Sequence, residues 1–439
     1  MVKKLGYLVF TCIIFTAIIV VPGCGKGKEN QQANDSGSVQ APVNSDSPSK
    51  GDQHTNDEQD LDNEQTEEQQ KINDLLESMS LTEKIGQMIF AGISGTTLEP
   101  NTKLLINDYK VGGVIFYSEN LSDPERTVRL VNQIKSENRN NPLPLLLGID
   151  QEGGRVSRLP GDLAAFPTNE KIGRINRSEF SYEIGALLGR AAAEFGFNLD
   201  FAPVLDVNSN PDNPVIGDRS FGSRPEVVSR LGIQTMKGIQ SQHTISVIKH
   251  FPGHGDTAVD SHLELPKVDK SLEELDKLEL IPFREAIESG ADVVMIAHIL
   301  LPKLDAEYPA SMSKSIITNL LRNRLRYNGV VVTDDMTMKA ITNHFEIGRA
   351  SVESVKAGSD LILVAHDFQL ITSAVQALEE AVEEGEITEE RINESVSRII
   401  QLKLNYEIED KAVEPVNISE LNESIKKVLD NEKDRGSKD

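Results

Sequence analysis

Eight short apolar runs, most of them separated by stretches of helical periodicity, constrain the fold of this chain more than any other feature. The runs cover residues 85–92, 111–117, 143–150, 199–207, 245–250, 293–298, 330–334 and 361–366. Helical stretches such as 225–240, 271–289 and 368–384 lie between them. Because alternating strands and helices indicate a parallel sheet, we expect an α/β fold, a (β/α)8 TIM-type barrel that forms a single catalytic domain at 71–408. A doubly wound sheet is the structural alternative.

Polar side chains gather where these runs end. They are Asp150, Asp206, Lys249, His250, His298, Asp334 and His366. In a barrel of this type the carboxyl ends of the strands converge on one face, and active sites lie on that face. The pattern therefore favours the barrel and predicts one polar site.

The segment KHFPGHGDTAVDSH combines titratable side chains with residues that interrupt regular structure. The titratable residues are Lys249, His250, His254, Asp256, Asp260 and His262. Pro252, Gly253 and Gly255 break any regular element there. A buried strand is thus predicted to lead into a functional loop, although many such loops are only solvated connections. Zinc is the competing interpretation, but the histidine spacing matches no common zinc motif and no cysteine is near, so we expect no metal.

The segment GVVVTDDMTMKAI, residues 329–341, is a predicted buried strand that ends in two aspartates and leads into a helix. Period-2 alternation places Val330, Val332 and Asp334 on one face and Asp335 on the other. An aspartate at this point could simply be the N-cap of the helix. Asp335 fits that role, which leaves Asp334 free to point inward.

The N-terminus has the features of an export signal followed by a spacer. Lys3 and Lys4 precede an apolar run, 5–21, that ends at Val-Pro-Gly-Cys. Segment 1–24 resembles a bacterial lipoprotein signal in which Cys24 would be lipidated, and an uncleaved anchor is the alternative. Residues 25–70 contain 11 acidic and 3 basic residues and no aromatic residue, which predicts a disordered acidic tether. We expect an extracytoplasmic domain anchored to the bacterial cell membrane, with a charged C-terminal tail at 409–439.

The chain is strongly acidic, with a formal net charge of −24. Such a charge disfavours a phosphate backbone as a partner, so we expect no nucleic acid. The two cysteines, Cys12 and Cys24, both lie near the N-terminus. Their position excludes a disulfide framework or a zinc–cysteine site in the domain.

Four motifs, in this order, resemble those of one enzyme family. They are DQEGGRVSRL at 150–159, IGDRSFG at 216–222, KHFPGHGDT with DSH at 249–262, and TDDMTMKAI at 333–341. They make most of residues 72–405 similar to the β-N-acetylglucosaminidases of glycoside hydrolase family 3. Larger members carry a second C-terminal α/β domain. Few residues follow Tyr406, so the resemblance is to the single-domain form.

The resemblance implies a role for each matching residue. Asp334 would be the nucleophile of a retaining mechanism, and His262 would be the general acid/base, paired with Asp260. The first sugar subsite would be formed by Asp150, Arg158, Arg219, Lys249 and His250. The alternative for the basic residues is pairing with neighbouring acids such as Asp150 and Asp218. His254 and Asp256 would shape the loop.

A histidine acid/base departs from the pair of carboxylates that most glycosidases use. Imidazole has an unperturbed pKa of about 6.5, so it both gives and takes a proton near neutrality. Asp260, two residues away, would orient the ring and stabilise its cation. The Gly-rich loop would let His262 swing in when substrate binds.

Composition points to a small pocket, because the chain has no Trp and only 5% aromatic residues. Proteins that bind long polysaccharides usually stack sugars on exposed aromatic rings. This hint agrees with the resemblance, which implies a retaining exo-β-N-acetylglucosaminidase, acting as a monomer without a cofactor on GlcNAc-containing saccharides of the cell wall (muropeptides) or of chitin. The alternatives are a family 3 β-glucosidase, a GlcNAc phosphorylase and a non-catalytic sugar-binding lipoprotein.

Overall fold

The computed structural model describes residues 67–436, and its centre is a parallel sheet of eight strands. In chain order the strands are β1 (Ile89–Gly92), β2 (Gly113–Phe116), β3 (Leu146–Ile149), β4 (Gln151–Gly153), β5 (Val156–Ser157), β6 (Leu199–Asp200), β7 (Ile245–Phe251), β8 (Val293–Ile296), β9 (Val330–Thr333) and β10 (Ile362–Val364). Strands β4 and β5 form a separate antiparallel hairpin. The other eight pair in chain order, and β10 pairs with β1. A parallel bridge between Val332 and Leu361 joins β9 to the β10 edge, so the sheet closes into a barrel.

Helices connect the strands around the outside of this barrel. They are α1 (67–78), α2 (Leu81–Gln87), α3 (Pro100–Asn107), α4 (Pro124–Asn138), α5 (Asn169–Ile175), α6 (Ser178–Glu194), α7 (Pro225–Gln240), α8 (Leu272–Asp276), α9 (Leu280–Glu288), α10 (Lys339–Thr342), α11 (Ile347–Ala357), α12 (Phe368–Glu383), α13 (Glu389–Asn405) and α14 (Ile418–Gly436). Ser315–Arg324 forms a π-helix. Short 3-10 turns occur at Ser118–Asn120, Gly217–Arg219 and Ala310–Met312.

Local sequence signals start several of these helices. Ser80 and Glu83 form a reciprocal capping box before α2. The Ser80 hydroxyl accepts from the backbone N–H of Glu83 at 3.3 Å, and the Glu83 carboxylate accepts from the N–H of Ser80 at 2.8 Å. Asp123 caps α4, whose first residue is Pro124. These side chains satisfy N–H groups that a helix leaves unpaired at its start.

The predicted (β/α)8 barrel is confirmed, and the doubly wound alternative is wrong. Each of the eight apolar runs contains one barrel strand. The strand prediction is least accurate for the run 85–92, because residues 85–87 complete α2. The stretch 225–240 coincides with α7, whereas 271–289 divides into α8 and α9.

Apolar side chains fill the barrel beneath the carboxyl ends of its strands. The buried rings of Phe90 and Phe201 meet edge to face, with their centroids 5.5 Å apart. Glycines make the space for them. A Cβ at Gly113 would lie 2.7 Å from the Phe90 ring, and one at Gly148 would lie 2.8 Å from the Phe201 ring. Because protein interiors are close-packed, a larger residue at either position would displace an aromatic ring.

Both ends of the described chain are more structured than the predicted tether and tail. Residues 67–70, the last part of the predicted tether, belong to α1. The rest of the tether and the signal with Cys24 lie outside the described residues. Most of the tail predicted at 409–439 forms α14, in which Leu421 and Ile425 are fully buried. Within residues 67–436 no helix is both long and apolar enough to cross a membrane.

Candidate active site

A cavity of about 310 Å³ opens at the carboxyl ends of the barrel strands. Buried apolar side chains from the barrel interior line its lower part, among them Phe201, Met295 and Leu363. All eight residues predicted to act in catalysis or sugar binding line it, namely Asp150, Arg158, Arg219, Lys249, His250, Asp260, His262 and Asp334. The structure therefore brings the whole predicted set into one cavity.

The cavity also contains residues to which the sequence analysis gave no role. They are Tyr117, Glu152, Arg155, Ser261 and His366 among the polar side chains. Glu152 could have been predicted from the sequence, because it lies two residues after Asp150 within the same motif. Tyr117 ends an apolar run, and its ring stacks on His366 with centroids 4.3 Å apart. Burial and nearby carboxylates raise the pKa of the Tyr117 phenol, so this group is a neutral hydroxyl donor.

A buried group of opposite charges forms one side of the cavity. The Lys249 ammonium lies 2.6 Å from Oδ1 of Asp150 and 2.8 Å from Oε1 of Glu152. The Arg219 guanidinium binds the Glu152 carboxylate through two nitrogens, at 2.7 and 2.8 Å. Only 1% of the Glu152 side chain and 3% of the Lys249 side chain are exposed. Two-pronged pairing of this kind gives the carboxylate and the guanidinium one relative orientation.

Burial and neighbouring charges shift the pKa values in this group in opposite directions, and the effect of the charges is the larger one. Burial alone would raise the pKa of Glu152, but Arg219 and Lys249 hold it well below its usual range. Burial alone would lower the pKa of Lys249, but Asp150 and Glu152 raise it. Glu152, Lys249 and Arg219 therefore stay ionised near neutral pH and present fixed donors and acceptors to a ligand.

The alternative prediction is that the basic residues of the site pair with neighbouring acids such as Asp150 and Asp218. The structure agrees with it only in part. Arg219 pairs with Glu152, whereas Asp218 accepts from Nε of Arg155 at 2.8 Å. Lys249 does pair with Asp150. The Nε atom of Arg158 is buried and has no hydrogen-bond partner among the residues that the structure describes. A buried donor of this kind is available to a ligand that brings an acceptor.

A buried acid from the segment after β6 holds His250. Nδ1 of His250 lies 2.7 Å from Oδ2 of Asp206, which is fully buried. Asp206 also accepts from the backbone N–H of His254 at 2.6 Å. Burial raises the pKa of Asp206, but His250 and these hydrogen bonds hold it below its usual value. An ionised Asp206 requires a proton on Nδ1, which directs Nε2 of His250 toward the cavity.

Asp334 follows the last residue of β9 and reaches the cavity with its carboxylate half-buried. Its Oδ1 accepts from the backbone N–H of Asp335 at 2.8 Å. Burial would raise the pKa of Asp334, but the imidazoles of His298 and His250 and this N–H group lower it. Asp334 is therefore a carboxylate near neutral pH.

Asp335 supports the turn after β9, and its predicted role as a helix N-cap is wrong. Helix α10 starts only at Lys339 and has no side-chain cap. Asp335 instead accepts from the backbone N–H of Thr337 at 2.9 Å and of Ala365 at 3.0 Å. Three residues separate the aspartate from the helix, so its carboxylate bonds within the turn and to the chain after β10.

His298, which had no assigned role, lies directly beneath this turn. Its Nε2 donates to the backbone carbonyl of Asp335 at 3.0 Å, and its Nδ1 accepts from the Ser311 hydroxyl at 2.7 Å. Both bonds suit a neutral ring, and burial lowers the pKa of His298. His298 therefore positions the backbone that carries Asp334.

The tip of the loop after β7 carries the predicted acid/base pair. Nδ1 of His262 and its backbone N–H both lie 2.8 Å from Oδ1 of Asp260. Burial raises the pKa of Asp260, but its hydrogen bonds with His262 hold it below the usual value. The His262 side chain is 64% exposed. The neighbouring Leu263 is also 64% exposed.

The base of the same loop is rigid by comparison. Lys249 and His250, at the end of the predicted run 245–250, belong to β7. His254 is buried between the hydroxyls of Thr257 at 2.8 Å and Ser261 at 3.2 Å. Burial, reinforced by the neighbouring His250, lowers the pKa of His254 to about 4, so the ring is neutral. Asp256 pairs with Lys270 at 2.9 Å.

The geometry places a carboxylate, an imidazole–carboxylate pair and a set of charged hydrogen-bonding groups in one cavity. Asp334 is an ionised acid held by backbone, and the Asp260–His262 pair supplies an imidazole oriented by a carboxylate. No group of three or more His, Cys, Asp or Glu side chains within residues 67–436 could hold a metal ion.

Comparison with known proteins identifies a family for this arrangement. Residues 80–402 match the Glycosyl hydrolase family 3 N terminal domain. The chain is 37% identical over 332 residues to Beta-hexosaminidase A of Pseudoalteromonas piscicida, which covers 70% of this chain and 56% of that relative. It therefore spans little more than half of that protein. It is 34% identical over 285 residues to a Beta-hexosaminidase of Hydrogenovibrio crunogenus, covering 64% of this chain and 78% of the relative.

A solved structure is similar as well. The glycoside hydrolase family 3 β-N-acetylglucosaminidase of Paenibacillus sp. str. FPU-7 superposes with a TM-score of 0.76 and 40% identity, over 80% of this chain and 68% of that one. The family match covers more than half of the sequence and includes every residue of the cavity named above. The chain belongs to glycosyl hydrolase family 3.

Proposed function

We propose that this glycoside hydrolase is a retaining exo-β-N-acetylglucosaminidase. It removes terminal non-reducing β-linked GlcNAc through a covalent intermediate on Asp334, with His262 as acid/base and Asp260 as its partner. The observation that carries the proposal is the ionised Asp334 carboxylate in the same cavity as the Asp260–His262 pair. The names of the most similar relatives and of the solved structure support the choice of sugar.

The first step would transfer the sugar to the enzyme. The Asp334 carboxylate attacks the anomeric carbon and forms a carbon–oxygen bond, while the bond to the leaving oxygen breaks. His262 gives its proton to that oxygen, so the aglycone departs as a neutral alcohol. Asp260 stabilises the cationic ring before the transfer and keeps it oriented afterwards.

The second step would release the sugar. A water molecule gives a proton to the now neutral His262 and attacks the anomeric carbon, and Asp334 leaves as a carboxylate. Two displacements at the same carbon restore the original configuration. The ring nitrogen returns to its protonated state and is ready for the next cycle.

The shape and charge of the cavity support recognition of one terminal sugar. Buried apolar side chains occupy its lower end, and Asp150, Lys249 and Arg219 supply charged groups at one side. Carboxylates accept from sugar hydroxyls, and cationic groups donate to hydroxyl and amide oxygens. A small cavity with this lining suits exo-action on muropeptides of the cell wall or on chitin-type saccharides.

A release assay tests the proposal. Aryl β-glycosides of GlcNAc, GalNAc and glucose are compared, with and without phosphate, and the anomeric configuration of the first product is recorded. We expect GlcNAc release with retained configuration and no need for phosphate. Preference for glucose would favour a β-glucosidase, phosphate-dependent formation of a sugar phosphate would favour a phosphorylase, and no release would favour a binding protein.

We also propose that the domain is anchored outside the cytoplasmic membrane through lipid on Cys24. The supporting observation is the apolar run that ends in Val-Pro-Gly-Cys before an acidic tether. In cells, Cys24→Ala should abolish labelling by a radioactive fatty acid and leave activity of the domain unchanged. Wild-type protein that takes up no label would contradict the proposal.

A further inference from the structure

We infer that helix α14 positions the sugar-binding arginine Arg158, through a clamp made by the side-chain amide of Asn422. Helix α14 lies beyond residues 80–402, which match the family. It contributes no residue to the cavity. Its effect on the site would pass through the loop 159–164, which follows Arg158 directly along the chain.

Asn422 binds the backbone of this loop at two points. Its Oδ1 accepts from the backbone N–H of Ala164 at 2.6 Å. Its Nδ2 donates to the backbone carbonyl of Asp162 at 2.7 Å. The amide thus pairs with the loop as a neighbouring strand would, using a donor and an acceptor at once. A loop segment with these two groups satisfied has less conformational freedom than one that bonds only to water.

The loop is also confined between α14 and α4 at Gly161. This glycine has φ +94°, a conformation that other residues rarely adopt. A Cβ at this position would lie 2.8 Å from Cγ of Pro124 on α4 and 3.9 Å from Cδ1 of Ile418 on α14. The two helices therefore approach the loop closely from outside.

Helix α14 has its own attachment to the barrel, so it can hold the loop in place. Leu421 and Ile425, on either side of Asn422, are fully buried. Glu420 pairs with Arg190 on α6 at 2.7 Å. At the other end of α14, Glu432 pairs with Arg177 at 3.1 Å. Asn422 is therefore carried by a helix whose packing does not depend on the loop.

Arg158 is the residue that this arrangement would affect most. Its backbone N–H and that of Leu159 both donate to Oε1 of Gln151, at 2.9 and 3.2 Å, which ties the start of the loop to β4. The guanidinium lines the cavity, and its buried Nε has no partner within the described residues. A side chain not held by a partner takes its position from its backbone, and Asn422 restrains that backbone within six residues.

Asn422→Leu tests the inference, because leucine keeps the branched arrangement of side-chain heavy atoms and removes both hydrogen bonds. Glu432→Ala is the matched control, since it removes the ion pair between α14 and Arg177, at the opposite end of α14 from the loop. The inference rests on the proposed function for its substrate, an aryl β-GlcNAc glycoside. Asn422→Leu should raise KM about three- to tenfold, the range that one or two lost neutral hydrogen bonds span, and change kcat less. Glu432→Ala should change neither constant.

A second readout does not depend on activity. Amide hydrogen exchange at Ala164 should accelerate in Asn422→Leu, and α14 itself should stay protected.

A third variant, Asn422→Asp, keeps the acceptor for the Ala164 N–H, so its KM should lie between those of the wild type and Asn422→Leu. Wild-type KM in Asn422→Leu, or an equal rise in Glu432→Ala, would overturn the inference. Failure of wild-type protein to cleave the substrate would instead count against the proposed function.

Discussion

Under the proposed function the cavity has a sugar-binding half and a proton-transfer half, and the two are built in opposite ways. In the sugar-binding half, Glu152 and Lys249 are almost completely buried and joined by short ion pairs. In the proton-transfer half, His262 is mostly exposed and bonds only to its neighbour Asp260 among the contacts that the structure describes. One half is held by the barrel, and the other is carried on the tip of a loop.

The difference follows from what each half must do. Hydrogen bonds that recognise a sugar are most useful when they need no rearrangement, and buried ion pairs provide such preorganisation. An acid/base must make room for the leaving group and then admit the attacking water. Burial would hinder both tasks. The predictions below test this division between a rigid half and an accessible half.

Loss of the nucleophile should have the largest effect. Asp334→Asn removes the attacking carboxylate but keeps its size, so kcat should fall by about 10⁴-fold or more. The fold and sugar binding should persist, because no core packing is lost. A slow fluorosugar and peptide mapping should locate the covalent adduct on Asp334 in the wild type. An adduct on Asp335 or Asp260, or a product of inverted configuration, would contradict the assignment.

Loss of the proton donor should have a smaller and more selective effect. His262→Ala should slow cleavage of glycosides with poor leaving groups by about 10²–10⁴-fold. Glycosides with activated aryl leaving groups need little protonation and should lose far less in the first step. Pre-steady-state rates for a series of leaving groups would measure the difference. Equal losses across the series would indicate that His262 has only a structural role.

Disruption of the buried half should act on stability as well as binding. Glu152→Gln leaves Lys249 and Arg219 without their shared carboxylate, which should destabilise the fold by about 3–5 kcal/mol. Asp218→Asn, at the exposed pair with Arg155, is the matched control and should cost about 0–1 kcal/mol. Urea unfolding of the two variants gives the comparison. Similar losses of unfolding free energy in both variants would show that the buried ion pairs contribute no more to stability than the exposed one.

The same carboxylate predicts a pH dependence. Folding lowers the pKa of Glu152 below its ordinary value of 4.5, so its contribution to stability is fully present above that pH. This contribution is lost as the pH falls below 4.5 toward the lowered pKa of Glu152 in the folded protein. Glu152→Gln should therefore flatten the acid side of the stability curve, measured as the free energy of unfolding against pH. An unchanged slope would mean that Glu152 is not ionised in the folded protein.

The smallest expected effect concerns motion of the loop. Hydrogen exchange should be fast at residues 258–264, where most side chains are exposed, and slow at 249–255, which are buried. A GlcNAc-type inhibitor should slow exchange at the tip and leave the base unchanged. Strong protection of the tip without inhibitor would contradict an acid/base that moves in with substrate.

Much of the fold could be predicted from the sequence, because hydrophobic periodicity is a local property. The run 330–334 and the stretch 225–240 each carry the spacing of one element, and both formed as expected. The division of 271–289 into two helices, and the helical packing of α14 within the predicted tail, were missed. Both depend on what lies against the segment in space, as the burial of Leu421 illustrates.

The sequence by itself determined the barrel and the residues gathered at its mouth, since alternation along each strand decides which side chains point inward. Only the tertiary structure decided which partner each of those residues pairs with. The pairing of Arg219 with Glu152 rather than with Asp218, its near neighbour in sequence, is one case. The support of Asp334 from His298, 36 positions earlier, through the backbone of Asp335 is another. Ionised groups take the partner that burial places nearest, and that distance is set by the closed barrel rather than by separation along the chain.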